Sequence, residues 1–168
     1  DNHVDTLVER WLFAARHGGW AASIDATAAL ARTLAAVPKD QRDKLVAGSR
    51  RAALQGLVLH KSRLVRINAI AALQALGEDT AKLDSDPSPH VREAAKAKPS
   101  QVARSEWRTF YVVDPSADDA PVREEPYFVK TPDNLVWATY TDARGEITSE
   151  HVPPGDATTW PASREGEY

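Results

Sequence analysis

The stretch "SRLVRINAIAALQALG", residues 62–77, is followed by a fainter copy, "SPHVREAAKA", residues 88–97. Shifted by 26 residues, Val65 falls on Val91, Arg66 on Arg92 and Ala69 on Ala95. The first stretch opens on Ser62, whose hydroxyl can cap a helix, and closes on Gly77, suited to the left-handed turn that ends one. Between them Leu64, Val65, Ile67, Ala69, Ile70, Ala72, Leu73 and Leu76 leave almost no polar face on a helical wheel. Such a helix needs neighbours on several sides, so this one is expected to be sandwiched. Related helices in succession point to a stacked array, because one helix pair cannot bury its apolar face alone.

Upstream the same texture continues. "VDTLVERWLFAARH" sets Val4, Leu7, Val8, Trp11, Leu12 and Ala15 at helical spacing and stops at Gly18 and Gly19. "WAASIDATAALARTLAAV" forms a second helix up to Pro38, and "KDQRDKLVAGSRRAALQGLVLH" reads as a third, with Asp40 as its cap. After residues 62–77, "EDTAKLDSDPSP" is a connector, and "HVREAAKA" is a short fifth helix before Pro99.

Beyond residue 104 the segments become short, aromatic and β-branched: "EWRTFYVV", "PYFVKT", "NLVWATYT" and "EITSEHV". "TPDN" and "DARG" have turn chemistry, so the reading is an antiparallel meander of three or four strands. The connection "DPSADDAPVREE" reads as a mobile acidic loop, and the tail from Pro153 as an irregular segment covering the sheet. The fold class is therefore segregated α+β, with a helical domain over 1–103, a β-module over 104–168, and the boundary near "KPSQVARS".

The segment "DPSPHVREAA", in which Asp-Pro and a second proline lead into a Val-Arg helix, resembles the opening of a HEAT-type repeat. Residues 62–77 resemble the matching helix with its Ala-Leu-Gly ending, and the likeness covers residues 60–98 best. It implies HEAT-like stacking of about five helices into a binding solenoid. In that family the arginine after the valine commonly pairs with an aspartate of a neighbouring repeat. Asp86 fits that slot, and its counterpart one repeat earlier is His60. The 26-residue spacing is short against the ~40 usual for such repeats, which makes this a terminal or degenerate array.

Composition excludes several functions. There is no cysteine, hence no disulfide, zinc-thiolate site or cysteine nucleophile. No apolar run approaches the ~20 residues of a membrane helix. The chain lacks methionine throughout and begins at Asp1, which reads as processing or excision that hides any targeting signal, with the cytoplasm slightly favoured. Residues 1–104 carry 16 basic against 11 acidic side chains, net +5, and residues 105–168 carry 5 against 13, net −8. Halves of opposite sign can attract each other or face different partners.

The densest basic cluster is Arg50, Arg51, Lys61, Arg63 and Arg66. Helical arrays with basic concave faces can hold nucleic acid through its phosphates, as some HEAT-like DNA glycosylases do, but the cluster can equally meet the acidic half. Among the tryptophans, Trp160 in the tail is the candidate anchor, covering the sheet or meeting a partner. The five histidines include no HExxH, and the chain has no P-loop, dinucleotide fingerprint or G-x-S-x-G elbow. The expectation is a non-catalytic protein-interaction or scaffold module with a protein partner and no catalytic residue, cofactor, metal or small-molecule substrate. A nucleic-acid-binding module is the second reading. An accessory domain of an enzyme, with Tyr140, Glu150 and His151 as its residues of interest, is the third. A sheet edge could also accept a partner strand.

Overall fold

The computed structural model describes residues 2–100 and 106–162, with six α-helices in the N-terminal part and small antiparallel sheets in the C-terminal part. The expected boundary falls partly on residues 101–105, which lie outside those described. The helices are α1 (Asn2–His17), α2 (Trp20–Ala36), α3 (Lys39–Leu45), α4 (Ser49–Gly56), α5 (Arg63–Ala75) and α6 (Pro89–Lys96).

α5 is the sandwiched helix. It packs against α2 and α6, with a strand (β5, Val136–Tyr140) laid across it, and Leu64, Val65, Ile67, Ala69, Ile70 and Leu73 are all buried. Ser62 caps it by accepting from Val65 N–H (3.3 Å). At its other end Gly77, with φ +80°, donates to Gln74 O while Glu78 N–H donates to Leu73 O, the paired closure of a Schellman turn. The expected third helix is two: Gly48 at φ +58° breaks it into α3 and α4. Asp40 is not a cap but lies in the first turn of α3, whose N-cap position is Pro38.

Arg42, buried, ties helix ends together. Its guanidinium donates to Ala35 O (3.2 Å) and Val37 O at the end of α2, and to Ala75 O (2.6 Å) at the end of α5. A cation set among the unsatisfied carbonyls of helix C-termini is favourable both as hydrogen-bond donor and against the helix dipole.

The strands are antiparallel, but their pairing is not that of a meander. β4 (Pro126–Lys130) pairs with β5 and, on its other side, with β7 (Thr158–Pro161). β6 (Glu146–Val152) pairs instead with β1 (Glu106–Tyr111), in a separate two-stranded sheet. The "TPDN" turn joins β4 to β5 as expected, with Asn134 at φ +65°. The "DARG" turn also forms, yet the strands it links part company. The reason is that the outer edge of β5 is already taken: Asn68, on α5, accepts from Ala138 N–H (2.6 Å) and donates to Ala138 O (2.9 Å). The segment expected to be a mobile acidic loop folds into a small hairpin, β2 (Val113–Asp114) with β3 (Ala120–Pro121), and the tail supplies a regular strand, β7.

The helices and sheets share one core. Leu135, Trp137 and Thr139 lie on one side of β5 and are buried, as their alternation predicts, and Trp137 sits under the guanidinium of Arg32, 4.8 Å from the ring centroid. Asn68 is fully buried and also donates to Ile24 O and Thr27 Oγ1 (both 3.2 Å), so one carboxamide touches α2, α5 and β5.

Two predictions follow from these joints. Asn68→Ala orphans the main-chain N–H and C=O of Ala138 inside the core and should cost about 3 kcal/mol in urea unfolding, at one to three for each buried unsatisfied group. Asn68→Asp, which sets an anion against carbonyl oxygens, should cost more; a loss under ~0.5 kcal/mol for either variant would remove Asn68 from this role. In the "DARG" turn, the N–H groups of Glu146 and Arg144 hold the Asp142 carboxyl below its ordinary value. The turn is thus supported above the unfolded aspartate pKa and loses that support as pH falls through the lower folded value. Carbon-detected NMR titration should show Asp142 among the most acidic aspartates.

Candidate functional site

The expected basic cluster is largely consumed within the fold. Arg50, on α4, reaches α1, with Nη1 2.6 Å from Asp5 Oδ1 and Nη2 2.5 Å from Glu9 Oε1; those hydrogen bonds, Glu9 first, raise its already high pKa. Arg51 bonds Glu78 (2.6 Å) and Asp43 (3.2 Å). Arg66 makes a two-pronged pair with Asp86, Nε to Oδ2 at 2.8 Å and Nη2 to Oδ1 at 3.0 Å, both side chains only 11% exposed. Arg63 is buried, its guanidinium 6.0 Å from the Phe128 ring centroid. Of the five, only Lys61 is exposed; Arg50, Arg51 and Arg66 are half-buried.

The 26-residue shift that aligns α5 with α6 also aligns their contacts. Arg66 Nη1 donates to the carbonyls of His60 and Lys61, and Arg92 Nη1 to those of Asp86 and Pro87. Ser62 N–H donates to His60 Nδ1 (3.0 Å), and Ser88 N–H to Asp86 Oδ1 (2.8 Å). His60 and Asp86 therefore do the same work at the two helix starts. Only Asp86 carries the charge that also takes the arginine of the preceding helix.

Tyr140 is half-buried in β5, and Glu150 and His151 belong to β6 with side chains outside those described. Among the described residues no group of three or more His, Asp or Glu side chains is placed to hold a metal ion, and no helix is long and apolar enough to cross a membrane.

A cleft of about 290 Å³ opens to solvent between α6 and the sheet β5-β4-β7. Its apolar floor includes Ile67, Ala94 and Val136, its aromatic wall is His90, Phe128 and Trp160, and its rim carries Glu93, Lys96 and Lys130. α6 is amphipathic in two directions. Val91, Ala94 and Ala95 are buried in the core, while His90, Glu93, Ala94 and Ala97, at i, i+3, i+4 and i+7, border the cleft. On the sheet, Phe128 and Lys130 are two apart on β4 and share a face, and Trp160 sits opposite Phe128 on β7. The Phe128 ring is flanked by Trp160 (centroids 5.5 Å) and His90 (5.2 Å), both tilted, as aromatic quadrupoles prefer.

Trp160 is thus the one sequence candidate found here; it covers Phe128 and remains half-exposed. The other walls were missed. The helical spacing of His90, Glu93 and Ala97 was readable, but nothing local announced that β4 would face it.

This is a segregated α+β protein with a cleft at the seam of its two parts. No family model matches the chain, and neither the curated proteins nor the solved structures include a significant match to it.

The ion pairs rank themselves by burial. Arg66→Gln should cost about 3 kcal/mol, since it strands a nearly buried carboxylate, and Arg66→Lys should recover only part, because an ammonium cannot reproduce the fork. Arg50→Gln, with partners that are largely exposed, should cost about 1 kcal/mol or less. Urea midpoints give the order, and Arg50→Gln equalling Arg66→Gln would refute it.

Proposed function

We propose that this chain is a non-catalytic protein-interaction module: a HEAT-like helical array with a β part packed across it, receiving a segment of a partner protein in the cleft between α6 and β4–β7. The observation that carries this reading is unengaged charge set beside an aromatic wall. Glu93, Lys96 and Lys130 are exposed and make no ion pair among the described residues, and they ring an aromatic wall. The aligned contacts of α5 and α6 favour the HEAT-like reading of the helices. The polar outer face of α6, with Arg92, Glu93 and Lys96, suits the last helix of an array, which must meet water.

The nucleic-acid reading has less support, since Arg50, Arg51 and Arg66 already hold carboxylates. Addition of a partner strand at a sheet edge is also less favoured. Asn68 occupies the β5 edge, and on β7 the bond from Ala162 N–H to Pro126 O sets the register so that Thr159 and Pro161 turn their main chain outward. Pro161 has no N–H to offer.

The test is site-specific photo-crosslinking with benzoylphenylalanine in place of Lys96, Lys130 or, as a control, Lys61. A protein partner should be captured from positions 96 and 130, despite nuclease, and much less when Trp160→Ala is added. Capture concentrated at position 61 and abolished by nuclease would transfer the function to the basic helical face.

A further inference from the structure

The charges around the cleft identify the kind of segment it takes. We infer that the occupant is an acidic stretch of a partner protein carrying one large aromatic or branched aliphatic side chain, the anchor seated against Phe128 and Trp160 and the flanking carboxylates held by Lys96 and Lys130. This rests on the reading of the cleft as the docking site and adds the chemistry of what docks.

Size comes first. About 290 Å³ lies at the lower end of the roughly 300–1,000 Å³ of ligand pockets, which suits a single bulky side chain better than an extended ligand. The wall is correspondingly aromatic: Phe128 is almost completely buried and fixed between His90 and Trp160, while Trp160 keeps part of its ring open to an incoming group. A rigid ring that is half-covered by its own fold offers contact area with little rotamer entropy left to lose.

Charge then selects among anchors. Lys130 comes from the sheet wall and Lys96 from the helix wall, so two basic side chains line the cleft from different walls, against one acidic side chain, Glu93. Other basic side chains of this molecule, Arg50, Arg51 and Arg66, each lie against a carboxylate of the same chain. Lys96 and Lys130 do not, among the described residues. A basic segment entering here would add like charge to an unneutralised pair. An acidic one would supply the counter-charges, with Glu93 left for a main-chain or side-chain donor of the occupant. With both edges of the β5-β4-β7 sheet blunted, side-chain recognition stands in for strand pairing at this cleft.

Three capped pentapeptides with the same anchor separate the possibilities: Asp-Glu-Trp-Glu-Asp, Ser-Gln-Trp-Gln-Ser and Lys-Arg-Trp-Arg-Lys, titrated into the full ¹⁵N-labelled chain. The readouts are the Trp160 indole N–H, assigned by its loss in Trp160→Phe, and the amides of residues 90–97 and 128–130. The acidic peptide should bind about tenfold more tightly than the neutral one, the sum of two exposed ion pairs, and the basic peptide should be weakest. Lys96→Glu with Lys130→Glu should invert that order, and Lys96→Gln with Lys130→Gln should flatten it; unchanged urea midpoints show that the variants fold. If the neutral peptide binds the cleft as tightly as the acidic one and charge reversal changes nothing, the acidic preference is overturned while the cleft remains a docking site. If all three peptides leave Trp160 and its neighbours unmoved, the docking reading itself falls with it.

Discussion

The carboxamide of Asn68 does for the edge of β5 what a neighbouring strand would do, accepting from the N–H of Ala138 and donating to its C=O. That substitution of a side chain for a strand determines much of the rest. It docks the sheet on the middle of α5, it closes one edge, and it leaves β6 to pair with β1. Because the group is fully buried and its remaining donor is spent on α2, it has no favourable alternative in a misregistered arrangement. A buried amide that is fully satisfied only in one docking geometry specifies that geometry, since every other one leaves polar groups bare.

The charged side chains of the helical part are used in the same manner. Arg42 collects the carbonyl ends of α2 and α5, Arg50 binds α4 to α1, and Arg66 joins the start of α6 to α5 through Asp86. These long side chains link neighbouring helices, and Arg42 covers carbonyls that apolar contact alone would leave bare at helix ends. The ion pairs described for these arginines lie within the helical part, as those of Arg144 with Asp142 and Glu146 lie within the β part.

The cleft is a consequence of the same docking. α6 is only eight residues long, and α5 carries the sheet. The short last helix therefore stands beside β4 and β7 with a gap between them, and the gap is walled by whatever those elements present: alternate residues of the strands and every third or fourth residue along the helix. Its aromatic wall is ordered by mutual ring contact, and its charges remain in water.

Much of this was legible in the sequence, and the dividing line is physical. The segregation of helices from strands, the Ser62 cap, the Gly77 stop, the burial of α5 on all sides and the alternation along β5 follow from short-range periodicity and local turn chemistry, which the residues carry wherever they are placed. The pairing of β6 with β1, the conversion of the acidic loop and the tail into strands, and the partners of Arg50 and Arg51 depend on which distant residues meet. The meander reading assumed that successive strands pair, and a single asparagine 70 residues from its partner overrode it. The cleft lies at the far end of that scale. Trp160 was noticed as a loose aromatic, but Glu93, Lys96, Phe128 and Lys130 are ordinary residues on separate elements. By itself the sequence determined most of the helices, the strands β1, β4, β5 and β6 and several of their ends, because these rest on neighbours a few positions away. Only the tertiary structure decided which edges, charges and rings face one another, because that is set by the one docking in which the buried polar groups of Asn68 and Ala138 are all satisfied.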